Sequence, residues 1–272
     1  MLADMSRTKT PSRGVLITGA SRGIGAAAAR AFAKKGDRVV VHFHQQQQRA
    51  AEVLERLDGT GHTIAAADLA DASQVAELAA TAVAALGRVD VLVNAAALLA
   101  ESSTGGRRGD HPLEHTAYAD WVEIWQRTLA ANLLGPANLT WQIARHMIEI
   151  KPADGIPAGR IVNVGSRGAY RGEPEVPAYG ASKAGLHAFG QSMALALAPH
   201  GIAVTTIAPG FVATDRAAAL NGPEGAAVRA QSPFDRVATP HEVAAAIVAL
   251  ADPLAEWASG AVLDFNGASH LR

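Results

Sequence analysis

Three side chains in the second half of the sequence have the types and spacing needed for proton transfer. Tyr179 follows Ser166 by 13 residues, and Lys183 comes four residues after the tyrosine. Residues four apart lie on one face of a helix, so the phenol and the ammonium group would be neighbours. A nearby ammonium lowers the pKa of a tyrosine, which is ordinarily about 10. We therefore predict that Tyr179 exchanges a proton with a carbonyl or alcohol oxygen and that Ser166 holds that oxygen.

A second group of residues, VLITGASRGIG at 15–25, has the composition of a phosphate-binding turn. A strand-like apolar run ends there, and Gly19, Gly23 and Gly25 precede an alanine-rich helical pattern. In dinucleotide-binding turns, glycines permit unusual backbone angles, close approach of a pyrophosphate and tight packing of the helix on the sheet. Free N–H groups at the helix start then bind phosphate oxygens. The turn predicts a dinucleotide site, and the alternative is an ordinary glycine-rich turn.

The second predicted strand indicates which nicotinamide dinucleotide the site accepts. Sites for NAD usually place an acidic side chain at the end of this strand to bind the ribose 2′-hydroxyl. The segment 39–45 reads VVVHFHQ and contains no acid. Arg22, within the glycine turn, suits a 2′-phosphate because guanidinium groups bind phosphate in a bidentate manner. We therefore expect NADP(H) in preference to NAD(H), and the alternative for Arg22 is a solvated residue at the helix start.

Short β-branched runs alternate with alanine-rich helical patterns along the chain, which is typical of a doubly wound parallel sheet. The expected strands are 15–18, 38–43, 63–66, 89–93, 160–164, 203–207 and 261–265. The expected helices are 23–35, 45–57, 73–86, 118–148, 178–198 and 240–250. No linker rich in proline and glycine divides the chain. We predict one Rossmann-like α/β domain at 14–272, with about seven strands and helices on both faces, after a flexible tail at 1–13.

Two expected loops, at 98–117 and 211–239, are longer than the alternation requires. Both follow carboxyl ends of strands, where ligands bind in open α/β sheets, and long loops are often functional. The first contains Arg107 and Arg108, which suit an anionic substrate, although a solvated pair is the favoured interpretation. Three apolar residues of the second loop are candidates for lining a substrate pocket: Phe211, Leu220 and Phe234.

The composition argues against several other classes of function. The 272 residues include no cysteine, which excludes a disulfide scaffold, a thiolate nucleophile and a cysteine-ligated metal. A formal net charge of −1 argues against electrostatic binding of nucleic acid. Among the ten histidines, His111 and His115 have the i, i+4 spacing of helical metal ligands, but Pro112 and nearby glycines disfavour a helix there, so we expect no metal site. Because no apolar run has the length of a signal peptide or a membrane span, we expect a cytoplasmic protein without a membrane partner.

Together, these motifs resemble those of the short-chain dehydrogenase/reductase family, over the chain from about residue 15 to 268. The sequence TGASRGIG at 18–25 matches the family's TGxxxGxG, and Ser166 with YGASK at 179–183 matches its serine and YxxxK pair. Asn132, in the sequence NLLG, is similar to the family's catalytic asparagine. Three further segments are similar to family motifs: Asp68-Leu69 after the third strand, NAAA at 94–97, and Pro209-Gly210 followed by Thr214.

The resemblance implies that NADPH gives a hydride to a carbonyl carbon while Tyr179 protonates the oxygen. Lys183 would lower the pKa of Tyr179 and bind the nicotinamide ribose, Ser166 would position the substrate oxygen, and Asn132 would hold a water in a proton relay from Lys183. The implied cofactor-binding residues are Gly19, Ser21, Arg22, Gly23, Ile24, Gly25, Phe43, His44, Asp68, Leu69, Asn94, Ala95, Ala96, Tyr179, Lys183, Pro209, Gly210, Val212 and Thr214.

Two segments depart from the family pattern. The family usually has NNAG where this chain has NAAA at 94–97, but alanine is small enough to preserve the approach of the backbone, so we expect cofactor binding to persist. The segment 98–117 is longer than usual. It either shapes substrate specificity or covers the rim of the site.

The leading interpretation is an NADP(H)-dependent carbonyl reductase or alcohol dehydrogenase acting on a small molecule. Two narrower possibilities are a 3-oxoacyl-thioester reductase, with Arg107, Arg108 and Arg171 meeting an anionic carrier, and a pteridine-type reductase, suggested by HFH at 42–44. The alternative from another class is an NADP(H) sensor or scaffold without turnover. The resemblance also implies a homotetramer, with a homodimer as the alternative.

Overall fold

The chain forms a seven-stranded parallel sheet with helices on both faces. The computed structural model of the protein describes residues 12–99, 110–150, 158–214 and 225–272. Neighbouring strands pair in parallel in the order β3-β2-β1-β4-β5-β6-β7. The predicted fold class and number of strands are confirmed. The strands are β1 (Gly14–Ile17), β2 (Arg38–Phe43), β3 (Thr63–Ala66), β4 (Val91–Asn94), β5 (Gly159–Val164), β6 (Ile202–Pro209) and β7 (Val262–Phe265).

The helices occur mainly where the alanine-rich patterns predict them. Within the described residues they are α1 (Gly23–Lys34), α2 (Gln47–Leu54), α3 (Ala72–Leu86), α4 (Tyr118–Leu129), α5 (Gly135–Glu149), α6 (Pro177–Leu197), α7 (Ala226–Arg229) and α8 (Pro240–Leu250). Short 3₁₀ helices occur at Arg167–Ala169, Ala198–His200 and Pro253–Ala258. None of the helices in the described ranges has a stretch long and apolar enough to cross a membrane.

One predicted helix is wrong in its continuity. We expected a single helix at 118–148, but a π-helical turn at Ala130–Leu134 separates α4 from α5. A π turn accommodates an extra residue and shifts the faces of the flanking segments relative to each other. The apolar pattern of the sequence continues through such an insertion, so the pattern does not predict it. The turn contains Asn132, which is fully buried.

The sheet is covered on both faces, so its strands are apolar on both sides. Val15 and Ile17 of β1 lie in one core with α1 and α8, whereas Leu16 between them lies in a second core with α3 and α5. This coverage explains why the strands read as continuous apolar runs rather than alternating patterns. The strand order reverses between β1 and β4, which leaves a crevice beyond their carboxyl ends. The glycine turn and the NAAA segment both begin at that crevice.

The ordered fold begins earlier than we predicted, because Arg13 is part of it. Arg13 was expected in the flexible tail, yet it is almost fully buried. Its Nη2 lies 2.8 Å from Oδ2 of Asp37, and its Nη1 donates to the carbonyl of Ala251 at 2.7 Å. The guanidinium therefore ties the start of β1 to the turn before β2 and to the end of α8. Residues 1–11 of the predicted tail lie outside the described residues.

Replacing Arg13 by alanine should destabilise the protein strongly. The substitution leaves the buried carboxylate of Asp37 without its partner, and breaking a buried ion pair in this way costs about 3–5 kcal/mol. Equilibrium unfolding in urea measures the change. The matched control is Arg127→Ala, because Arg127 forms an exposed pair with Glu123 that should contribute less than about 1 kcal/mol. Equal effects of the two substitutions would contradict the role assigned to Arg13.

Candidate active site

The glycine turn after β1 is folded so tightly that side chains would not fit. Gly19 has a φ of +64°, and a Cβ atom there would lie 2.7 Å from the Cα of Ala96. A Cβ atom at Gly25 would lie 2.5 Å from the carbonyl oxygen of Gly19. Gly23 also has a positive φ, of 57°, at the first residue of α1. This cradle leaves the N–H groups at the start of α1 accessible, and it fits the pyrophosphate of a dinucleotide.

Thr18 joins this turn to the segment after β4. Its hydroxyl oxygen accepts hydrogen bonds from the N–H groups of Ala95 and Ala96, at 3.0 and 3.1 Å. Ala95, which departs from the family pattern, and Ala96, which matches it, are therefore held through their main chain. Alanine suffices there, because the bonds to Thr18 need no side chain. The contact of Ala95 and Ala96 with a cofactor stays a prediction.

His42 on β2 is a positioning residue that the sequence did not reveal. Its Nδ1 accepts a hydrogen bond from the N–H of Gly19 at 3.0 Å, and its Nε2 lies 3.0 Å from the carbonyl oxygen of Ala67. Because Nδ1 is an acceptor, the proton is on Nε2 and is donated to Ala67. Burial lowers the pKa of His42 from 6.5 to about 4, so the ring is neutral. The neutral ring links the glycine turn to the residue that precedes Asp68.

His42 and His44 are two residues apart and would share a face of a strand, but β2 ends at Phe43, so only His42 is buried. The structure places His44 at the exposed edge, where its Nε2 lies 3.7 Å from Oδ2 of Asp68. Oδ1 of Asp68 accepts a hydrogen bond from the N–H of Ala70 at 2.9 Å. Two predicted cofactor residues, His44 and Asp68, are thus brought together beyond the carboxyl ends of β2 and β3.

A polar cleft of about 580 Å³ lies between α1 and α2, beside the glycine turn. Three predicted cofactor residues line it, Ser21, Arg22 and Gly23. The charged residues that line the cleft are Arg22, Arg30, Arg49, Arg56 and Glu52. Positive charge therefore dominates the cleft, and three of its four arginines had not been recognised from the sequence. They escaped notice because they lie on α1, on α2 and in the turn after α2, which only the packing of these elements brings together.

Four other predicted cofactor residues contribute mainly to the core. Phe43 and Leu69 are almost fully buried, and Ile24 packs against the same core as Phe43. Asn94 is also buried, and its Nδ2 donates to Oδ1 of Asn163 on β5 and to Oγ1 of Thr140 on α5. The side chain of Asn94 thus fixes two neighbouring strands and a helix beneath the crevice.

Lys183 lies at the centre of the predicted catalytic group. Its side chain is almost completely buried, and its Nζ donates a hydrogen bond to the carbonyl of Val164 at 2.8 Å. The same Nζ lies 5.8 Å from the centroid of the Tyr179 ring. Burial lowers the pKa of Lys183 from 10.5 to about 8, so the amine is still protonated at pH 7. The helix carrying Tyr179 and the strand leading to Ser166 are therefore tied together by a buried cation.

Ser166 begins a short 3₁₀ helix directly after β5. Its hydroxyl oxygen accepts a hydrogen bond from the N–H of Gly168 at 3.0 Å, which leaves the O–H free to donate elsewhere. Its own N–H donates to Nε2 of His187 at 3.3 Å. A Cβ atom at Gly165 would lie 2.0 Å from that nitrogen, so glycine is required for the ring to pack there.

His187 is a second positioning residue missed from the sequence. It lies four residues after Lys183, so Tyr179, Lys183 and His187 follow one face of α6, and this spacing was a signal that could have found it. Burial and the charge of Lys183 lower the pKa of His187 from 6.5 to about 4. The ring is therefore neutral and accepts the hydrogen bond that orients the backbone of Ser166.

Asn132 occupies a different environment from the one we expected. Its side-chain oxygen accepts from the N–H of Leu98 at 2.7 Å, and its amide nitrogen donates to the carbonyl of Leu98 at 2.9 Å. The amide nitrogen also lies 3.3 Å from Oγ of Ser182, next to Lys183. The side chain thus fixes the start of the segment after β4. The binding of a water at Asn132 stays a prediction.

The segment after β6 returns to the glycine turn. The N–H of Gly210, after Pro209, donates to the carbonyl of Phe265 on β7 at 3.2 Å. Val212 forms a β-bridge with Ala238. A Cβ atom at Gly23 would lie 3.2 Å from Cγ2 of Thr214, so Thr214 sits against the turn. Three residues named in the long loops lie outside the described residues: Arg107, Arg108 and Leu220.

A glycine cradle at the crevice and a buried lysine beside a tyrosine are the two parts of this site. The family model described as short chain dehydrogenase matches residues 13–225. The chain belongs to the short-chain dehydrogenase family. The family assignment made from the motifs is confirmed, and the protein is an oxidoreductase of a family that binds a nicotinamide cofactor.

Relatives of this dehydrogenase are similar over nearly their whole length. The chain is 34% identical over 255 residues to a 3-oxoacyl-(acyl-carrier-protein) reductase of Synechocystis sp., covering 93% of this chain and 94% of the relative. It is 35% identical to a cis-4-hydroxycyclohexanecarboxylate dehydrogenase of Sinomonas cyclohexanicum, covering 94% of this chain and 95% of the relative. A short chain dehydrogenase of Burkholderia cenocepacia, solved in complex with NADP, superposes with a TM-score of 0.81 at 28% identity, covering 96% and 99%.

The neutral histidines predict loss of stability in mild acid. His42 and His187 have pKa values of about 4 in the fold and about 6.5 when unfolded, so the unfolded chain binds protons first as the pH falls. Each histidine should therefore reduce the free energy of unfolding by up to about 3 kcal/mol between pH 6.5 and pH 4. In urea unfolding across this pH range, the free energy of unfolding of His42→Asn should decrease by about half as much as that of the wild type.

His200 provides the matched control, because it is exposed at the end of the 3₁₀ turn after α6. The His200→Asn variant should keep the full pH dependence of the wild type. A pH dependence that His42→Asn leaves unchanged would show that His42 is not held neutral by the fold.

Proposed function

We propose that the protein is an NADP(H)-dependent oxidoreductase that reduces a carbonyl or oxidises the corresponding alcohol. The observation that carries this proposal is the buried ammonium of Lys183, 5.8 Å from the Tyr179 ring and bonded to the strand that ends before Ser166. A dinucleotide bound in the glycine cradle would supply the hydride. The side chains described above bind and orient the substrate oxygen and move its proton.

Tyr179 is the proposed proton donor in reduction. The phenol proton passes to the carbonyl oxygen as the carbon becomes an alcohol carbon, and the phenolate left behind is stabilised by the charge of Lys183. Oγ of Ser166 accepts from Gly168, so its O–H is available to donate to the same substrate oxygen. The phenolate regains a proton from Lys183, and Asn132 is the proposed holder of a water that continues this relay. Oxidation of an alcohol follows the same steps in reverse.

NADP(H) is the proposed cofactor on the strength of the positive cleft beside the glycine turn. Arg22 lines that cleft together with three further arginines and a single acidic residue, which suits the 2′-phosphate of NADP. His44, at the end of β2, stands where an NAD site usually has an acid. The similar dehydrogenase of Burkholderia cenocepacia was solved with NADP, which supports the same choice.

The relatives favour one of the two narrower substrate classes. Several relatives are named as 3-oxoacyl-(acyl-carrier-protein) reductases, which favours the thioester reductase as the second candidate. The pteridine-type reductase gains no support from His42, because both ring nitrogens are engaged by main-chain groups. The presence of both Tyr179 and Lys183 in a packed arrangement argues against an NADP(H) sensor without turnover.

Association into a homotetramer, or a homodimer, is also part of the proposal. Large apolar side chains are exposed on α4, the π turn and α5, and around the C-terminal strand. Burial between copies would remove them from water. These residues are Tyr118, Leu134, Trp141, Leu254, Trp257 and Leu271. A cytoplasmic location, expected from the sequence, is a separate part of the proposal.

Removing the phenol oxygen of Tyr179 tests the chemical step. Tyr179→Phe should lower kcat for NADPH-dependent reduction by about 100-fold or more, because general acid catalysis contributes about 10²–10⁴-fold. The dissociation constant for NADPH, measured by fluorescence titration, should change by less than about 3-fold. Tyr118→Phe is the control, because Tyr118 is an exposed tyrosine on α4. Undiminished turnover by Tyr179→Phe would refute its assignment, and NADPH binding without turnover of any carbonyl by the wild type would favour the sensor.

Replacing Arg22 tests the choice of cofactor. The wild type should have a clearly higher kcat/KM with NADPH than with NADH, and Arg22→Ala should reduce that ratio by about 10-fold or more, since a charge-assisted bond to phosphate is lost. Arg145→Ala is the control, because Arg145 is an exposed arginine on α5 paired with Glu149. A wild-type preference for NADH would contradict the proposed cofactor.

A further inference from the structure

Arg167, the residue directly after Ser166, is a buried cation held by neutral partners. Its relative solvent exposure is only 3%. Its Nη2 donates to Oε1 of Gln231 at 2.6 Å, its Nη1 donates to Oγ of Ser269, and its Cζ lies 4.8 Å from the Phe211 ring centroid. Among the described residues, no carboxylate forms an ion pair with Arg167. Buried charges are ordinarily compensated, so this arrangement is costly unless an anion joins it.

A second guanidinium converges on the same neutral oxygen. Nη1 of Arg171 donates to Oε1 of Gln231 at 3.1 Å, while its Nε lies 3.5 Å from Oε1 of Glu173. Burial, together with the charge of Arg171, lowers the pKa of Arg167. Two arginines share one amide oxygen and one carboxylate, so this cluster carries excess positive charge. An oxyanion is the chemical group that two convergent guanidinium forks bind best.

Arg167 faces a cavity of about 340 Å³ between the 3₁₀ helix, the segment before α8 and the turn after β7. The other charged residues that line the cavity are already paired. Arg236 lies 2.7 Å from Glu242, and Asp264 lies 2.9 Å from Arg272. Among the described lining residues, Arg167 is therefore the charge that lacks an opposite partner. The aromatic rings of Phe211 and Phe234 supply an apolar wall.

We propose that this cavity binds an anionic group, a carboxylate or a phosphate, on the substrate whose carbonyl the enzyme reduces. This inference rests on the proposed function. Arg167 follows Ser166, and Phe211 follows Gly210, so the cavity begins one residue beyond two predicted parts of the active site. Arg167 lines the cavity and binds the anion, and Arg171 adds positive charge beside it through the shared oxygen of Gln231. The aromatic wall contacts the carbon chain that connects the anion to the carbonyl. The preferred substrates are therefore keto acids or keto phosphates rather than neutral ketones.

Matched pairs of ketones test the charge preference. The first pair is 4-oxopentanoate and its methyl ester, and the second is hydroxyacetone phosphate and hydroxyacetone. With NADPH, the wild type should have a kcat/KM about 10- to 100-fold higher for the anionic member of at least one pair, as expected when a charge-assisted hydrogen bond forms. The pair that shows the larger ratio identifies the carboxylate or the phosphate as the group bound.

Two variants connect the preference to the arginines. Arg167→Gln should bring the anionic-to-neutral ratio close to one, through a rise in KM for the anionic ketone. Arg171→Gln, which changes a partly exposed residue and therefore spares the fold, should lower the ratio several-fold. Arg127→Gln, on the exposed face of α4, should leave it unchanged. Equal use of charged and neutral ketones by the wild type, or an unchanged ratio in both site variants, would overturn the proposal.

A binding measurement separates this inference from the proposed reaction. With NADP⁺ saturating and ionic strength fixed, 4-oxopentanoate or hydroxyacetone phosphate should raise the Tm of the wild type by more than it raises the Tm of Arg171→Gln. Anion binding without turnover of any ketone would support the proposed anion site and contradict the proposed reductase activity. Turnover of neutral ketones, with no charge preference and no Tm shift caused by the anions, would support the reductase activity and overturn the anion site.

Discussion

The hydrogen bond from the buried ammonium of Lys183 to the carbonyl of Val164 is the interaction on which the site depends. It places a cation where water is excluded, which lowers the pKa of Lys183 to about 8 and keeps its charge beside the Tyr179 ring. The same bond joins α6 to the end of β5. His187 makes a second connection between these elements, through the backbone of Ser166. The predicted catalytic side chains are therefore positioned by helix–sheet packing rather than by a loop.

The cofactor side of the crevice is organised by hydrogen bonds between strand ends. Thr18 joins the end of β1 to the NAAA segment, and His42 joins the glycine turn to the end of β3. Parallel strands bring all their carboxyl ends to one edge, so short polar side chains at that edge can reach their neighbours. The neutral state of His42 follows from its burial, and it makes this edge sensitive to acid. The positive cleft between α1 and α2 lies next to the same edge.

Much of the fold could be predicted, because it depends on patterns that are local in sequence. The limits of β2, β3 and α8 agree with the predicted segments, since β-branched runs and capping residues mark them directly. The π turn around Asn132 could not be predicted, because an extra residue within a helix does not interrupt an apolar pattern. The place of Arg13 in the fold was also missed. Its partner Asp37 and its acceptor Ala251 are far away in sequence, and only folding brings them together.

The sequence by itself determined the family, the sheet with its helices, and the identities of the residues at the predicted catalytic and cofactor positions. These depend on residue types at fixed spacings, such as Tyr179 and Lys183 one helical turn apart. Only the tertiary structure decided which polar groups are buried and what they contact. It turned the side chain of Asn132 toward Leu98, and it made His42 and His187 neutral supports. It also placed Arg167 beside a cavity where, among the described residues, no carboxylate forms an ion pair with it. Burial and charge compensation depend on neighbours from distant segments, and spacing along one chain does not contain that information.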